Sequence, residues 1–455
     1  RWVLPIISPV IQDGAVVIDG SEIAAVGPKT DLVTQFPHAD VSEFGNAAIL
    51  PGFVNAHSHL ELTVMRGFLE SEEDEFFAWL RKLTLARIAM TGEDLRVSAT
   101  CGAIEAARAG ITCVADSSSL ASETVKAIEA VGLRGIVYQE SFGPDPKLAK
   151  ENVGRLLEQI AEARAFESGL VRVGVSPHAP YTVSGPQLEL ISRIAGDEML
   201  PLMMHAAESE AENLFMQNGA GPFADGLRKR GIEWRAPGTS SIQYLERHGV
   251  MNMRPLLAHC VNVNDVDVEL IKSSGAAIAH CPKSNAKLGH GRAPFAKFVS
   301  SGINTGLGSD SVASNNTCDI LEEARFAMLL ARLGQHSSDS RLSRGTVLTT
   351  EQSLFAATLG GARALNLADQ IGALASGMQA DIAVVRLNGA HQQPVRNPTD
   401  ALVLSSSGRD VALTMVAGKE IYRDGMIAAL DEHELTERIG EVRRKIEDLP
   451  AATRP

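Results

Sequence analysis

The chain has 455 residues, of which 45% are hydrophobic and 21% charged, a composition typical of folded globular proteins rather than of disordered or fibrous ones. Its 42 Lys and Arg against 55 Asp and Glu give a net charge of −13, and no basic run is long enough to follow a phosphate backbone, so we expect no nucleic-acid partner. At about 150 residues per domain, the length predicts two or three units, or one large barrel with an accessory domain.

The cysteine count and the hydropathy pattern bear on location. The five cysteines are odd in number, lack CxxC spacing and are too sparse for a disulfide framework, which favours a reducing compartment. No apolar run reaches the roughly 18 residues of a membrane span, and the first residues lack a signal-peptide pattern. We therefore expect a cytoplasmic protein without a membrane partner.

The two ends of the chain resemble each other and differ from the middle. Short β-rich runs divided by Gly and Asp turns occur near both ends. The simplest arrangement is one small β domain made from residues 1–50 plus 375–430, with residues 51–374 inserted into it. Residues 431–455 combine charged residues with apolar ones at helical spacing, which predicts a surface helix and a frayed tail.

The middle of the chain alternates short apolar runs with helix-like stretches, a pattern typical of parallel βα repeats. Eight such runs in about 320 residues predict a (β/α)8 barrel, with an inserted loop and short helix at residues 219–250. Every run ends in His, Asp or Glu, and barrel enzymes hold their chemistry where the carboxyl ends of the strands meet. The run ends are His57 with His59, Asp116, Glu140, His178, His205, His259, His280 and Asp310.

Four of these residues predict a metal site. His57 and His59 are two residues apart, so on a strand both side chains point to the same face, although an HxH pair alone is more often incidental. His205 and Asp310 complete a set of three nitrogens and one carboxylate oxygen, which suits Zn²⁺ or Fe²⁺. The alternative is that each residue is an ordinary polar group of the core or surface, and this would have to be true at four strand ends at once. We therefore expect one divalent ion at this position.

Glu208 and His259 are the predicted catalytic partners of that ion. Glu208 lies three residues after His205, so its carboxylate can reach an activated water without binding the ion, as a general acid/base must. A helix N-terminal residue stabilised by the dipole is the simpler interpretation, and both can hold together. His259 is predicted to orient the attacking hydroxide or the reacting centre, with a core histidine as the alternative.

The other histidines form a second group of candidates. His178 stands before a proline-containing turn and is predicted to contact the substrate, while His280 lies either at the edge of the site or behind it. The rest carry no pattern, so we expect them in solvent or in loops; they are His38, His248, His290, His336, His391 and His433.

Six segments, in the family's order, make the sequence similar to the amidohydrolase superfamily: PGFVNAHSHLELTVMRG, SPHAPYT, HAAES, LAHC, HCPKSNAKLG and GLGSDSVASNNTCDILEE. It resembles in particular the branch that contains S-adenosylhomocysteine/5′-methylthioadenosine deaminases and triazine chlorohydrolases. The resemblance covers nearly the whole chain and implies a (β/α)8 barrel with a β-sandwich split between the termini. It also implies a single ion, because superfamily members with two usually carry a carboxylated Lys on strand four, where VRVGVSPH has none.

The resemblance further implies site roles. The ion would be held by His57, His59, His205 and Asp310. In the reaction, Asp310 would accept a proton from the hydroxide, His259 would orient it, and Glu208 would protonate the ring nitrogen.

The residues after the HxH pair bear on the substrate. Deaminases of this branch commonly carry Ala-Pro-Met there, whereas this chain has Leu60, Glu61 and Leu62. The Leu-Glu form is similar to that of relatives that deaminate 6-amino-6-deoxyfutalosine, an adenine-bearing nucleoside, which makes Glu61 a candidate substrate contact. Trp79 falls where related deaminases reach toward the ribose, with core packing as the alternative.

The activity implied by the resemblance is hydrolytic deamination of an aminated purine ring, first of an adenine nucleoside such as S-adenosylhomocysteine, 5′-methylthioadenosine, adenosine or aminodeoxyfutalosine. Two alternatives stay open: an amino- or chlorohydrolase of s-triazines or guanine-type bases, and a non-catalytic scaffold. Relatives commonly form dimers or larger assemblies, so a homo-oligomer is expected.

Overall fold

Strands and helices alternate through the middle of the chain in the computed structural model, which describes residues 1–333, 348–428, 430 and 432–448. His336 and the predicted tail after residue 448 lie outside the described residues. The strands are β1 (Trp2–Val3), β2 (Ile11–Gln12), β3 (Gly14–Asp19), β4 (Glu22–Pro28), β5 (Ala47–Pro51), β6 (Phe53–Ser58), β7 (Ile111–Ser118), β8 (Arg134–Ser141), β9 (Val171–Pro177), β10 (Met203–Ala206), β11 (Leu256–His259), β12 (Ala277–His280), β13 (Thr305–Leu307), β14 (Ile382–Arg386), β15 (Val411–Val416), β16 (Lys419–Arg423) and β17 (Met426–Ile427).

Helices follow most of the central strands, as the predicted α/β pattern requires. The α-helices are α1 (Lys29–Gln35), α2 (Phe76–Ala89), α3 (Gly92–Arg108), α4 (Ala121–Val131), α5 (Ala149–Arg164), α6 (Gly185–Asp197), α7 (Glu210–Asn218), α8 (Pro222–Lys229), α9 (Ser241–Arg247), α10 (Asp265–Ser274), α11 (Pro282–Lys287), α12 (Phe295–Ser300), α13 (Val312–Asn315), α14 (Ile320–Leu333), α15 (Thr350–Phe355), α16 (Gly361–Ala364), α17 (Pro398–Asp400) and α18 (Glu432–Glu447). In the part of the chain that the structure describes, no helix is both long and apolar enough to cross a bilayer.

Strands from the two ends of the chain share one sheet. Its order is β17-β16-β15-β14-β5-β1-β2, and β14 pairs antiparallel with β5 on one side and with β15 on the other. A separate pair, β3 and β4, forms an antiparallel hairpin. Ile23, Val384 and Leu413 are buried in one apolar cluster to which both sheets contribute. The domain boundaries near residues 50 and 375 stay predictions.

The central strands form two parallel sheets of four, β6-β7-β8-β9 and β10-β11-β12-β13. Nearly every residue of these strands is buried, as in parallel strands that are covered on both faces. Single parallel bridges, Val175 to Leu202 and Ser58 to Asp310, link the two sheets at both ends. The carboxyl ends of all eight strands therefore lie on one face, which we call the mouth.

Local signals explain where several helices begin and end. Thr91 and Asp94 form a capping box at the start of α3, and Gly275, with a φ of 75°, ends α10 in the left-handed conformation that glycine adopts at little cost. Two short helices, α8 and α9, occupy residues 219–250, the segment predicted as an inserted loop and short helix after the fifth run. The last helix, α18, buries Val442 and Ile446 in the same apolar cluster as residues that flank the mouth.

Candidate metal and catalytic site

The four predicted metal ligands lie together at the mouth. His57 and His59 come from the end of β6, His205 from β10, and Asp310 from the turn after β13. His59 Nε2 is 3.2 Å from His205 Nε2, and Asp310 Oδ1 lies 3.3 Å from His57 Nε2 and 3.6 Å from His59 Nε2. Ligand atoms of the three histidines lie within 4.8 Å of one another, and those of Asp310, His57 and His259 do so as well, so the two groups share His57.

The chemistry of this donor set fits a divalent cation. Both ring nitrogens of buried His57 lack a hydrogen-bond partner among the described residues, and the Nε2 atoms of His59 and His205 face each other at 3.2 Å, a separation that two ligands of one cation can have. Burial lowers the pKa of His205 to about 4 and holds that of His59 well below its ordinary value. The rings are therefore neutral at pH 7, which is the form that ligates metals.

Neighbouring groups fix the orientation of two of these side chains. His205 Nδ1 donates to the backbone oxygen of His178 at 2.9 Å, which leaves Nε2 free to face the cluster. Asp310 Oδ2 accepts hydrogen bonds from Ser284 Oγ at 2.5 Å and Ser314 Oγ at 3.0 Å, so Oδ1 is turned to the histidines. Although burial acts to raise it, interaction with His57 holds the pKa of Asp310 well below its ordinary value.

Glu208 lies beside this cluster and contacts three other side chains. Its Oε1 is 3.6 Å from His259 Nε2 and 3.4 Å from His290 Nε2, and the Tyr181 hydroxyl donates to Oε2 at 3.1 Å. Burial acts to raise the pKa of Glu208, but the neighbouring His259 and His290 outweigh burial and lower the pKa below its ordinary value. The carboxyl is therefore ionised. The arrangement supplies a buried base within reach of the cluster.

His259 is held in a defined orientation. Its Nδ1 donates to Asn285 Oδ1 at 2.9 Å, and its Nε2 faces Glu208 without a hydrogen-bond partner among the described residues. Burial acts to lower the pKa of His259, but the carboxylates of Glu208 and Asp310 outweigh it and raise the pKa. The ring can therefore carry a proton on Nε2 and donate it to a bound group.

A second carboxylate, Glu212, fixes the backbone that carries Glu208. Its two oxygens accept the backbone N–H groups of Ala207 at 2.9 Å and Glu208 at 2.8 Å, and Ser241 Oγ donates to it at 2.5 Å. Ala207 has a φ of 53°, which a non-glycine residue adopts at a cost. The Glu212 side chain offsets that cost by bonding both amides of the turn.

A cavity at the mouth opens onto these groups. Of the predicted substrate contacts, Trp79 and His178 line it. The indole N–H of Trp79 is buried without a hydrogen-bond partner in the described structure, so it can donate to a ligand. The lining comprises His59, Leu62, Phe76, Trp79, Leu80, Leu83, Arg87, Glu140, His178, Tyr181, His205, Glu208, His259, Leu288, Asp310 and Ser311.

The other two predicted substrate contacts, Glu61 and His280, have partners within the protein. The Glu61 carboxylate accepts hydrogen bonds from Ser118 Oγ at 2.7 Å and from both the backbone N–H and Oγ of Ser119, so it ties the turn after the HxH pair to β7. His280 stacks on Phe295 with ring centroids 4.9 Å apart. Neither residue lines the cavity.

His290 lies in a loop, as expected, but its side chain is buried at the site. Its ring packs edge-on against Phe76 with centroids 4.4 Å apart, and its Nε2 faces Glu208. The sequence could not indicate its burial or its contact with Glu208, because no periodicity marks burial in a connection. Arg87 and Tyr181 also line the cavity, although neither is among the predicted site residues. Tyr181 follows His178 by three residues in SPHAPYT, whereas Arg87 has no local signal.

Known proteins share both the sequence pattern and the fold. A family model described as the amidohydrolase family matches residues 48–421, and one described as an imidazolonepropionase-like composite domain of bacteria matches residues 14–39. The chain is 32% identical over 445 residues to a 5-methylthioadenosine/S-adenosylhomocysteine deaminase of Nitratidesulfovibrio vulgaris, covering 96% of this chain and 94% of the relative. It is also 32% identical over 448 residues to a 5′-deoxyadenosine deaminase of Methanosarcina mazei, covering 97% and 94%.

Solved structures agree with the fold. A zinc-bound adenosine deaminase from Xanthomonas campestris superposes with a TM-score of 0.84 at 27% identity, covering 98% of this chain and 97% of that one. The atrazine chlorohydrolase of Arthrobacter aurescens, at 23% identity and a TM-score of 0.83 over 97% and 98% of the chains, shares the fold. These similarities confirm the resemblance that the motifs indicated.

Proposed function

The chain belongs to the amidohydrolase family, and from this premise we propose that it is a metal-dependent deaminase that hydrolyses the amino group from the purine ring of an adenine nucleoside. The observation that carries the proposal is the convergence of His57, His59, His205 and Asp310 beside the ionised carboxylate of Glu208. The names of the relatives support an adenine nucleoside as the substrate, with S-adenosylhomocysteine, 5′-methylthioadenosine, 5′-deoxyadenosine and adenosine as the first compounds to test.

We propose one divalent ion, Zn²⁺ first and Fe²⁺ second, held by the Nε2 atoms of the three histidines and by Asp310 Oδ1. A bound ion of this kind supplies Lewis acidity, which lowers the pKa of a water molecule from about 15.7 toward about 7. The zinc in the similar adenosine deaminase supports the choice of metal.

Protein side chains then transfer the protons and orient the attacking oxygen. Glu208, ionised before the reaction, takes one proton from the attacking water and gives it to the ring nitrogen beside the amino-bearing carbon. His259 donates a hydrogen bond that orients the attacking oxygen, as its raised pKa allows. Asp310 takes the remaining hydroxyl proton as the C–N bond breaks and passes it to the departing amino group. The products are ammonia and the oxo form of the base, which balances one water consumed.

The test is an assay of ammonia release from the adenine nucleosides above, with guanine and an s-triazine beside them and chloride release measured for the chlorinated triazine. The proposal expects ammonia from at least one adenine nucleoside and a higher kcat/KM for it than for guanine or the triazine. A preference for the triazine or for guanine would replace the substrate class while keeping the hydrolytic chemistry. Absence of turnover on every compound would favour the scaffold alternative.

We further propose that β6 to β13 close into a (β/α)8 barrel and that the terminal sheets form a β-sandwich. The bridges at both junctions of the two parallel sheets support the first, and the apolar cluster shared by the terminal sheets supports the second. A cytoplasmic location and a homo-oligomer stay predictions, which fractionation of cells and sedimentation of the purified protein can test.

A further inference from the structure

One wall of the cavity carries a charged pair that the proposed reaction does not use. Arg87 on α2 and Glu140 at the end of β8 both line the cavity, with Arg87 Nη1 3.4 Å from Glu140 Oε2. The guanidinium also lies over the ring of Phe142 at 5.0 Å, and that ring packs against His178 with centroids 4.6 Å apart. The Arg87 guanidinium is therefore held by Glu140 and by the ring of Phe142.

Only one of the two Glu140 carboxylate oxygens contacts Arg87. Its side chain is only 2% exposed, and Oε1 is buried without a hydrogen-bond partner among the described residues. An unmet buried carboxylate oxygen costs free energy, so a group that donates to it gains more than it would in water. Because Glu140 lines the cavity, the missing donor can come from a bound ligand.

A second metal ion is a poor explanation of this oxygen. Glu140, His178 and His205 do bring possible ligand atoms within 4.8 Å of one another. However, His205 already uses Nδ1 on the His178 backbone oxygen and turns Nε2 to His59. His178 uses Nδ1 on Thr182 Oγ1 at 2.9 Å, so only two ligand atoms remain, fewer than the three or four of a protein metal site.

The position of Glu140 indicates which part of the substrate it meets. Glu208 follows β10 and His259 is the last residue of β11, whereas Glu140 lies near the end of β8, which neither of those strands adjoins. A purine with its amino-bearing carbon beside Glu208 must direct its other end away from that residue. In an adenine nucleoside, that other end carries the sugar, whose hydrogen-bond donors are hydroxyl groups.

We propose that Glu140 is a specificity-determining residue whose Oε1 accepts a hydrogen bond from a sugar hydroxyl of the nucleoside, while Arg87 holds the carboxylate in place. The inference rests on the proposed function, because it assigns the sugar-binding wall of the same site. A cavity built to bond a hydroxyl rejects the analogue that lacks it, because the buried acceptor is then left unpaired.

The experiment compares adenosine with its 2′-deoxy and 3′-deoxy forms in the metal-loaded wild type and in Glu140→Leu. For the deoxy form that lacks the bonded hydroxyl, we expect wild-type kcat/KM to fall about 10- to 100-fold, the range for a hydrogen bond to a charged group. Glu140→Leu should lose a similar factor on adenosine and abolish the difference between adenosine and that deoxy form.

Controls separate recognition from folding and metal binding. Glu123→Gln removes a carboxylate that pairs with Arg96 at 3.2 Å outside the cavity, and it should leave the discrimination unchanged. Thermal unfolding and metal content are measured on every variant. If Glu140→Leu fails to fold, Glu140→Gln takes its place: Arg87 can only donate and so binds the amide oxygen, which turns the NH2 group to the sugar.

Each result has a defined meaning. Abolished discrimination with full metal content supports the proposal. Equal losses on all three nucleosides, or loss of the metal, would overturn it and make Glu140 a structural residue or a ligand. A wild type that turns over adenosine without discriminating either deoxy form would overturn this inference alone, whereas a wild type inactive on every adenine nucleoside would remove the proposed function and the inference with it.

Discussion

The two ends of strand β8 carry buried ionisable side chains that differ in their hydrogen bonding. At its start, Arg134 forms a two-point pair with Asp381 of the terminal sheet, at 2.9 and 3.1 Å, and Asp381 also accepts the backbone N–H of Ala417. At its end, Glu140 keeps one carboxylate oxygen without a partner among the described residues. A buried pair whose groups are all bonded joins two parts of the fold, whereas unmet buried atoms that converge on a cavity indicate binding.

Other residues at the mouth also have unpaired buried atoms. His57, His259 and Trp79 each have a buried nitrogen without a hydrogen-bond partner in the described structure. Near the start of the strands, where the terminal sheet packs, Thr414 Oγ1 bonds the backbone oxygen of Ala107 at 2.6 Å. The comparison therefore separates a structural end from a functional end, and the variants below test that separation.

The largest effect is expected from His205→Ala. Removal of one of three imidazole ligands should reduce metal content and abolish turnover together, because the remaining donors no longer complete the set. Metal analysis and ammonia release on the same sample measure both. A variant that keeps stoichiometric metal and wild-type turnover would mean that the ligands are misassigned.

Glu208→Gln should separate metal binding from proton transfer. We expect kcat to fall at least about 10²-fold, the usual contribution of a general acid/base, with metal content unchanged. The amide keeps the shape of the side chain, so unfolding by urea serves as the control. Turnover close to that of the wild type would refute the role of Glu208.

Asp381→Ala tests the structural end. Arg134 and Asp381 are 5% and 1% exposed, so removal of one partner leaves a buried, unpaired charge and should lower the free energy of unfolding by about 3–5 kcal/mol. Metal content and kcat of the folded fraction should stay at the wild-type values. The exposed pair of Lys29 and Glu43 offers the matched control, since water screens it and Glu43→Gln should leave the free energy of unfolding close to that of the wild type.

Glu212→Gln should lower the free energy of unfolding by less than Asp381→Ala does. The amide can accept only through its oxygen, so one of the two backbone N–H groups that Glu212 bonds loses its partner, at a cost of about 1–3 kcal/mol. If that cost falls on the position of Glu208, kcat drops while KM is retained. Ser241→Ala removes a different contact of the same carboxylate and keeps both backbone hydrogen bonds, so its kcat should fall between this variant and the wild type. Stability loss with unchanged kcat would make Glu212 purely structural.

The strand ends are the part of the site that local sequence pattern can predict. An apolar run shows where a strand stops, and parallel strands place their last residues on one face, so the order of runs alone brings His205 and Asp310 together. Glu208 could be predicted because it lies three residues after His205 in the sequence. The α/β class follows from the same alternation of runs and helices.

Residues placed by tertiary packing could not be predicted in this way. His290 lies in a connection and Arg87 on a helix, and their approach to the cavity depends on how those elements pack, which no local period records. Glu61 shows a different limit: the resemblance of the Leu-Glu form to certain relatives made it a candidate substrate contact, whereas packing directs its carboxylate to Ser118 and Ser119. Asp116, another strand end, accepts the backbone N–H of Leu60 at 2.7 Å and shapes the same turn.

X-ray absorption spectroscopy of the metal-loaded protein tests the central claim most directly. The proposed site predicts one ion per chain with nitrogen ligands at about 2.0–2.1 Å, of imidazole type, together with oxygen at a similar distance. Loss of that signal in His205→Ala would tie it to this cluster. Sulfur ligands, a signal unchanged in the variant, or no stoichiometric ion in active wild-type protein would contradict the account.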